Sequence, residues 1–279
     1  MFTLNCKGKL IEFEKPVIMG ILNMTDDSFY HGDLKNNLQS TILKVEMMIE
    51  EGADIIDIGG QSTRPGSHRI SVSEELDRII PIIKLINQSF PSQILSVDTF
   101  QSEVAKAVSC EGVAIINDIS GGTMDTKMIE TVAELNMPYI CMHTKGTPGN
   151  MQTLCSYDDV TAEVLKDLAI KVDHCIKSGI KDIIIDPGFG FAKNIEQNFK
   201  MLSQLNVFKI LGKPVLVGLS RKSTIYKTLG ITAQESLNGT TCLNTIALIN
   251  GADILRVHDV KDASQAIKLV EELKKAAKN

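Results

Sequence analysis

Ile183-Ile184-Ile185-Asp186-Pro187-Gly188-Phe189-Gly190-Phe191-Ala192-Lys193-Asn194 is the stretch that decides the fold. Three β-branched residues end on a carboxylate, and the chain then breaks into a loop with two glycines. An apolar run this short fits a strand covered on both faces, as in a parallel sheet. Asp186 then stands where a strand stops and a loop begins, which is where α/β barrels gather their chemistry. Gly188 and Gly190 let the backbone approach a ligand, and Phe189 and Phe191 can wall off a flat molecule. Taken alone, the stretch is equally a strand closed by an Asp-Pro turn. Its recurrence along the chain decides between the two.

Working outward, apolar runs alternate with helix-like segments. Val17–Leu22 ends in Asn23, and Asp54–Ile58 leads into Gly59-Gly60-Gln61-Ser62-Thr63-Arg64-Pro65-Gly66. Ile94–Val97 ends in Asp98, Ala114–Ile116 in Asn117-Asp118, and Tyr139–Met142 in His143. Asp182–Asp186 is the sixth run, Pro214–Gly218 leads into Ser220-Arg221-Lys222-Ser223, and Asp253–Val257 ends in His258. Helices are expected at about 37–51, from a cap at Ser73 to about 88, and at about 101–111, 125–135, 158–178 and 195–205. Others are expected at about 223–228, 234–250 and 261–277. Strict βα alternation predicts a parallel sheet, and eight units predict closure into a (β/α)8 TIM barrel. Residues 2–13 read as two short strands around Lys7-Gly8-Lys9, a β-hairpin to plug the barrel bottom. The 279 residues suit one barrel, typically ~250 residues, and no linker interrupts residues 1–279, so a single domain is expected.

The chain is 43% hydrophobic with a formal net charge of -5, which gives no basic face for nucleic acid. Six cysteines are scattered without a Cys-x-x-Cys, and Cys110, Cys141 and Cys242 read as small hydrophobes. Reduced thiols fit a cytoplasmic protein. The N-terminus lacks the apolar core of a signal peptide, and no run reaches the ~20 apolar residues of a membrane span. Gly188-Phe189-Gly190 does not open a dinucleotide motif, because Lys193 stands where the later glycine belongs. His68 and His174 have no partners at zinc-ligand spacing.

In a barrel, the polar residues at the strand ends converge on one mouth. A single Asp or Asn there is more often a turn or capping residue, but a whole ring of them is hard to assign to turns. Asp98, Asn117, Asp186 and Lys222 form a set of carboxylates, amide and ammonium that suits a guanine-like heterocycle. Arg64, Arg256, His258 and Asn23 suit a phosphate or diphosphate, with Asn23 a hard oxygen for Mg²⁺. Asp57 is expected to brace Arg64 or Asn23, and His143 to be a site wall or a turn. Residues 24–36 and 59–70 read as lids.

These motifs resemble a known family. Gly20-Ile21-Leu22-Asn23-Met24-Thr25-Asp26-Asp27-Ser28-Phe29, Ile56–Gly66, Ser96-Val97-Asp98-Thr99 and Ile116-Asn117-Asp118 are similar to signatures of dihydropteroate synthase. So are Met142–Pro148, Asp186–Phe191, Ser220-Arg221-Lys222-Ser223 and Arg256-Val257-His258-Asp259. The resemblance runs in the family's order from about residue 2 to 275. It implies a barrel enzyme of folate biosynthesis, usually a homodimer, that uses Mg²⁺. Such an enzyme joins (7,8-dihydropterin-6-yl)methyl diphosphate to 4-aminobenzoate, giving 7,8-dihydropteroate and diphosphate. By motif, Asp98, Asn117, Asp186 and Lys222 would hold the pterin with Arg256 over its face. Asp98, Asp186, Lys222 and Arg256 would be the catalytic set. Asn23, Arg64, Arg256 and His258 would hold the diphosphate, with Asn23 toward Mg²⁺. Phe29, Thr63, Pro65, Phe191, Lys222 and Ser223 would shape the 4-aminobenzoate pocket, where sulfonamides compete. The family usually has Pro where Asp26 stands and Glu where Gln61 stands. Two rivals remain beside this reading: a pterin-binding methyltransferase barrel and an inactive binding paralogue. The helices near 234–250 and 261–277 are the expected dimer surface.

Overall fold

The computed structural model describes residues 1–24, 34–62 and 66–277. The chain opens with β1 (Phe2–Cys6) and β2 (Lys9–Phe13), an antiparallel hairpin pairing Phe2 with Phe13 and Cys6 with Lys9. Lys7 and Gly8 both take positive φ (55° and 79°), the handedness of a two-residue hairpin turn. Eight parallel strands follow: β3 (Val17–Asn23), β4 (Ile55–Gly59), β5 (Ile94–Asp98), β6 (Ile115–Asp118), β7 (Tyr139–Met142), β8 (Ile183–Asp186), β9 (Leu216–Val217) and β10 (Ile254–Val257). They pair in the order β8-β7-β6-β5-β4-β3-β10-β9, and a parallel bridge from Ile185 to Val215 closes the ring.

Helices α1 (Leu34–Glu50), α2 (Val72–Ser89), α3 (Ser102–Cys110), α4 (Met128–Glu134), α5 (Val160–Lys177) and α6 (Ile195–Ser203) each follow one strand. After β9 come α7 (Ser223–Leu229) and α8 (Leu237–Ile249), and α9 (Val260–Ala276) ends the fold. The expected barrel and its order are therefore present. The cap of α2 is Ser71 rather than Ser73: the Ser71 hydroxyl accepts from the Glu74 N–H at 3.2 Å. Cys141 is buried as expected, but Cys110 and Cys242 are exposed, on the outward faces of α3 and α8.

Side chains alternate along a strand, and the barrel uses both faces. Ile56, Ile58, Leu95, Val97, Ile116, Cys141, Ile183, Ile185, Val217 and Leu255 join the helices in the outer core. Ile55, Ile115, Ile140, Ile184, Leu216 and Ile254 turn inward and pack with Leu4 and Cys6 of the hairpin. The hairpin thus plugs the N-terminal end of the barrel, and the Asp182 carboxylate ties it down by accepting from the Asn5 N–H at 2.9 Å. Asp54 and Asp253 act likewise at the same end, accepting from the Ile18 N–H (2.8 Å) and the Val215 N–H (2.7 Å). With the bottom filled by apolar residues, the C-terminal end is left for polar ones. No helix among the described residues is long and apolar enough to cross a membrane.

Candidate active site

Two residues above the inward apolar layer, the same face of each strand carries Asp57, Asn117, Met142, Asp186, Gly218 and Arg256. One step higher lie Asn23, Gly59, Asp98 and His258. The rim is therefore a consequence of strand periodicity: an aliphatic floor, then a layer that holds Ile21, Ser96, Met142 and Gly218 but carries its charge on Asp57, Asp186 and Arg256.

Arg256 joins the two carboxylates on its far side. Its Nε donates to Asp57 Oδ2 at 2.7 Å and its Nη2 to Asp98 Oδ2 at 2.8 Å. Asn117 Nδ2 donates to the same Asp57 oxygen at 3.0 Å. Asp57 thus braces Arg256 and Asn117 rather than the Asn23 expected from sequence; the other expected partner, Arg64, lies outside the described residues. Asp98 keeps Oδ1 buried with no hydrogen-bond partner among the described residues. A buried carboxylate oxygen left in this state is costly unless a ligand donates to it. Burial pushes Asp98 up to about 7, Arg256 pulls it back, and Asp57, Glu75 and Asp118 raise it again.

Asp186, at the end of β8, accepts from the Gly188 N–H at 2.7 Å. Burial raises its carboxyl, while Lys222 is the strongest influence holding it down. Lys222, the residue before α7, donates from Nζ to the Phe189 carbonyl and lies 4.5 Å from the Phe191 ring centre. Burial lowers the ammonium to about 8, with Asp186 supporting the charged form. Ser223 begins α7 and is partly exposed beside it. Phe191 packs against Phe100, Ile119, Met142 and Met124 at the pocket wall. Phe189 does not share that wall: it is 1% exposed and belongs to the outer core. His143 is buried, with Nδ1 2.9 Å from Lys193 Nζ.

On the opposite side of the mouth, Asn23 and His258 are exposed. His258 Nδ1 lies 3.0 Å from Ser220 Oγ. Packing of that edge, with Arg256 nearby, lowers the imidazole to about 4. The rest of the ring is open, so an arriving anion would reverse the shift. Arg221 turns away from the mouth and grips Asp259 through two bonds of 3.0 and 2.5 Å. Phe29, Thr63, Arg64 and Pro65 lie outside the described residues, as does Asp26.

Sequence reasoning passed over Lys193 and the hydrogen bonds of Gln61. Gln61 donates to the Ser62 and His68 carbonyls (2.8 and 2.9 Å) and accepts from the Ile70 N–H (2.8 Å). A signal existed for Lys193, a lysine set among glycine, phenylalanine and alanine just before the Asn194 helix cap.

A buried carboxylate oxygen with no partner among the described residues asks for N–H donors, and an amino-substituted heterocycle supplies them. The class this barrel falls in is the family described as pterin binding enzyme, which matches residues 19–258. Dihydropteroate synthase of Escherichia coli (strain K12) is 41% identical over 275 residues, covering 98% of this chain and 97% of that protein. The crystal structure of Yersinia pestis dihydropteroate synthase with a sulfonamide drug complex has TM-score 0.91 at 37% identity, covering 99% of this chain and 100% of that one. Xanthomonas albilineans dihydropteroate synthase with 4-aminobenzoic acid has TM-score 0.90 at 36% identity, covering 98% of both chains. The chain belongs to the dihydropteroate synthase family.

Proposed function

We propose that this protein joins (7,8-dihydropterin-6-yl)methyl diphosphate to 4-aminobenzoate, forming 7,8-dihydropteroate and releasing diphosphate. The observation that carries the pterin half is Asp98: Arg256 holds Oδ2, and Oδ1 is buried without a partner among the described residues. An amino-amidine edge has two parallel N–H groups, and a carboxylate accepts them side by side. Asn117, fixed through Asp57, adds an amide, and Lys222 adds a donor for the ring carbonyl or nitrogen. Arg256 is pinned by two carboxylates, so its plane is set before substrate arrives.

The reaction is a dissociative displacement at the pterin methylene. Arg256, His258 and Arg64 stabilise charge growing on the leaving diphosphate. Asp98 and Asp186 hold the electron-rich pterin while it carries positive charge. The arylamine is neutral at pH 7 and attacks without a strong base. Phe191, Lys222, Ser223, Phe29, Thr63 and Pro65 form its pocket, the place where sulfonamides compete.

Mg²⁺ fits this rim as a substrate-borne ion. Among the described residues no group of three or more His, Cys, Asp or Glu surrounds a metal position. Asn23 offers one exposed oxygen, and Gly59 beside it has no side chain to cover it: a Cβ there would lie 3.6 Å from Asn23 Oδ1. One amide oxygen plus water and phosphate oxygens is an ordinary Mg²⁺ set. When bound, the ion would neutralise diphosphate charge.

The enzyme works as a cytoplasmic homodimer in this reading. The free cysteines fit that compartment, and exposed apolar residues on α8 and α9 fit the partner surface. A coupled assay with both substrates and Mg²⁺ tests the reaction, comparing wild type with Asp98→Ala and Lys222→Ala. Rapid quench should show diphosphate release ahead of C–N bond formation, and product forming with no trace of earlier release or of a pterin cation would count against the dissociative step. Failure to bind 4-aminobenzoate in the presence of diphosphate would leave only a pterin-binding protein.

A further inference from the structure

Lys193 is 3% exposed, and no step above uses it. Lys193 Nζ donates to the Gly188 carbonyl at 2.9 Å and the Phe191 carbonyl at 3.0 Å and lies 2.9 Å from His143 Nδ1. Burial lowers the ammonium to about 7, with Asp186 supporting the charge, so at pH 6 it is charged and its third proton faces Nδ1. For Nδ1 to accept, His143 must be neutral with its proton on Nε2. Burial favours the neutral ring, lowering His143 to about 2, with Lys193 adding to the effect.

Other groups hold the same 187–193 loop: Asp186 Oδ1 accepts from the Gly188 N–H at 2.7 Å, and Asn198 Nδ2 donates to the Lys193 carbonyl at 3.3 Å. Gly188, Gly190 and Ala192 all take positive φ (73°, 80° and 47°). Gly188 lies so close to the end of β7 that a Cβ would stand 2.0 Å from the His143 carbonyl oxygen. The Tyr157 hydroxyl donates to the Ala192 carbonyl at 2.9 Å, and Asn198 Oδ1 accepts from the Gly190 N–H at 2.8 Å. On its other side the loop presents the Phe189 carbonyl and the Phe191 ring to Lys222.

We propose that Lys193 is a positioning residue: paired with the Nε2–H tautomer of His143, it fixes the 187–193 loop on β7 and so places the Phe191 ring on the wall of the 4-aminobenzoate pocket. The role of the pocket rests on the function proposed above. The His143 tautomer does not.

Two measurements test it. In wild type, ¹⁵N NMR at pH 6 should show His143 neutral, with Nδ1 unprotonated and Nε2 protonated. A cationic ring or a protonated Nδ1 overturns the proposal whether or not the enzyme turns over. In kinetics, Lys193→Met should raise KM for 4-aminobenzoate by about tenfold or more while KM for the pterin diphosphate stays within about twofold. His143→Leu should share that rise. His143→Gln keeps a carbonyl for the ammonium and should largely escape it. Equal effects on both KM values, or none, overturn the proposal. If Lys193→Met does not fold, the two His143 variants decide. A wild type that makes no dihydropteroate rejects the proposed function instead, and the NMR result still stands or falls alone.

Discussion

Arg256 and Asp57 are 199 residues apart in sequence and meet through a 2.7 Å bond from Nε to Oδ2. They sit on β10 and β4, on either side of β3, so barrel closure alone brings them together. Asp57 is fully buried and accepts at Oδ2 from both Arg256 and Asn117, so one carboxylate sets the direction of two groups of the rim. Asp57→Ala should lower kcat/KM by about 10- to 100-fold without touching substrate, as loss of an outer supporting partner does elsewhere. It should also cost about 3 kcal/mol of stability, because Arg256 loses one of its two ion-paired carboxylates and Asn117 loses its acceptor. Steady-state kinetics and urea unfolding check the two effects separately.

Asp98 predicts a pH dependence. Its carboxyl is raised to about 7 from an ordinary value of 3.8, chiefly by burial. Between about pH 4 and 7 the free folded protein therefore binds the proton that the unfolded chain has lost. Its contribution to stability falls as pH rises through that window. A pterin donating N–H groups to the ionised form reverses the bias. Pterin binding should release a proton below pH 7 and tighten from pH 6 to pH 8. Calorimetry in buffers of different ionisation enthalpy measures the release, and Asp98→Asn should abolish it.

The barrel was legible because apolar runs and helices alternate with the right lengths, and because each run stops on a polar residue. Which rim residues touch was not. Asp57 and Arg256 find each other across an intervening strand, a relation set by closure and not by local pattern. The two phenylalanines of the 187–193 loop look alike in sequence. Left-handed backbone at Gly188 and Gly190 accompanies their separation, with Phe189 in the core and Phe191 at the pocket. The α2 cap moved by two residues because Ser71 and Ser73 offer the same hydroxyl, and only backbone direction selects between them. Cys110 and Cys242 show the same limit, since residue type says nothing of which way a helix face turns.

The two glycines of that loop predict different failures. Gly188→Ala would drive a Cβ to 2.0 Å from the backbone oxygen of His143, which has nowhere to go. Loss of roughly 3 kcal/mol or more of stability is expected from overpacking and strained φ together. At Gly190 the Cβ would meet Lys222 Cδ at 2.9 Å, a flexible side chain that can shift. Gly190→Ala should be the better folded of the two, yet should lose activity because Lys222 is displaced. Thermal unfolding and turnover, measured side by side, should separate the pair.

The proposed dimer surface gives a test independent of catalysis. Leu269 and Leu273 are 73% and 59% exposed and lie one turn apart on α9. Ile246 and Ile249 on the neighbouring α8 are 41% and 55% exposed. Leu269→Glu with Leu273→Glu should shift the protein toward monomer in sedimentation velocity while leaving its helical circular dichroism unchanged.

Gln61 stands where the family usually carries Glu, and its bonds say what the exchange would do. The amide is 6% exposed and uses both ends: Nε2 donates to two carbonyls, and Oε1 accepts from the Ile70 N–H. A carboxylate can keep the last bond but must face the Ser62 and His68 carbonyl oxygens with no proton to give. Gln61→Glu should therefore cost roughly 1–3 kcal/mol at pH 8, the penalty of unsatisfied buried acceptors. Burial and two facing oxygens would raise the carboxyl in the folded state above its unfolded value. Protonation then restores one donor, so the deficit relative to wild type should shrink as pH falls through the folded value. Urea denaturation of both proteins across pH 5–8 checks this, and a deficit that grows toward acid would reject the donor role assigned to Gln61.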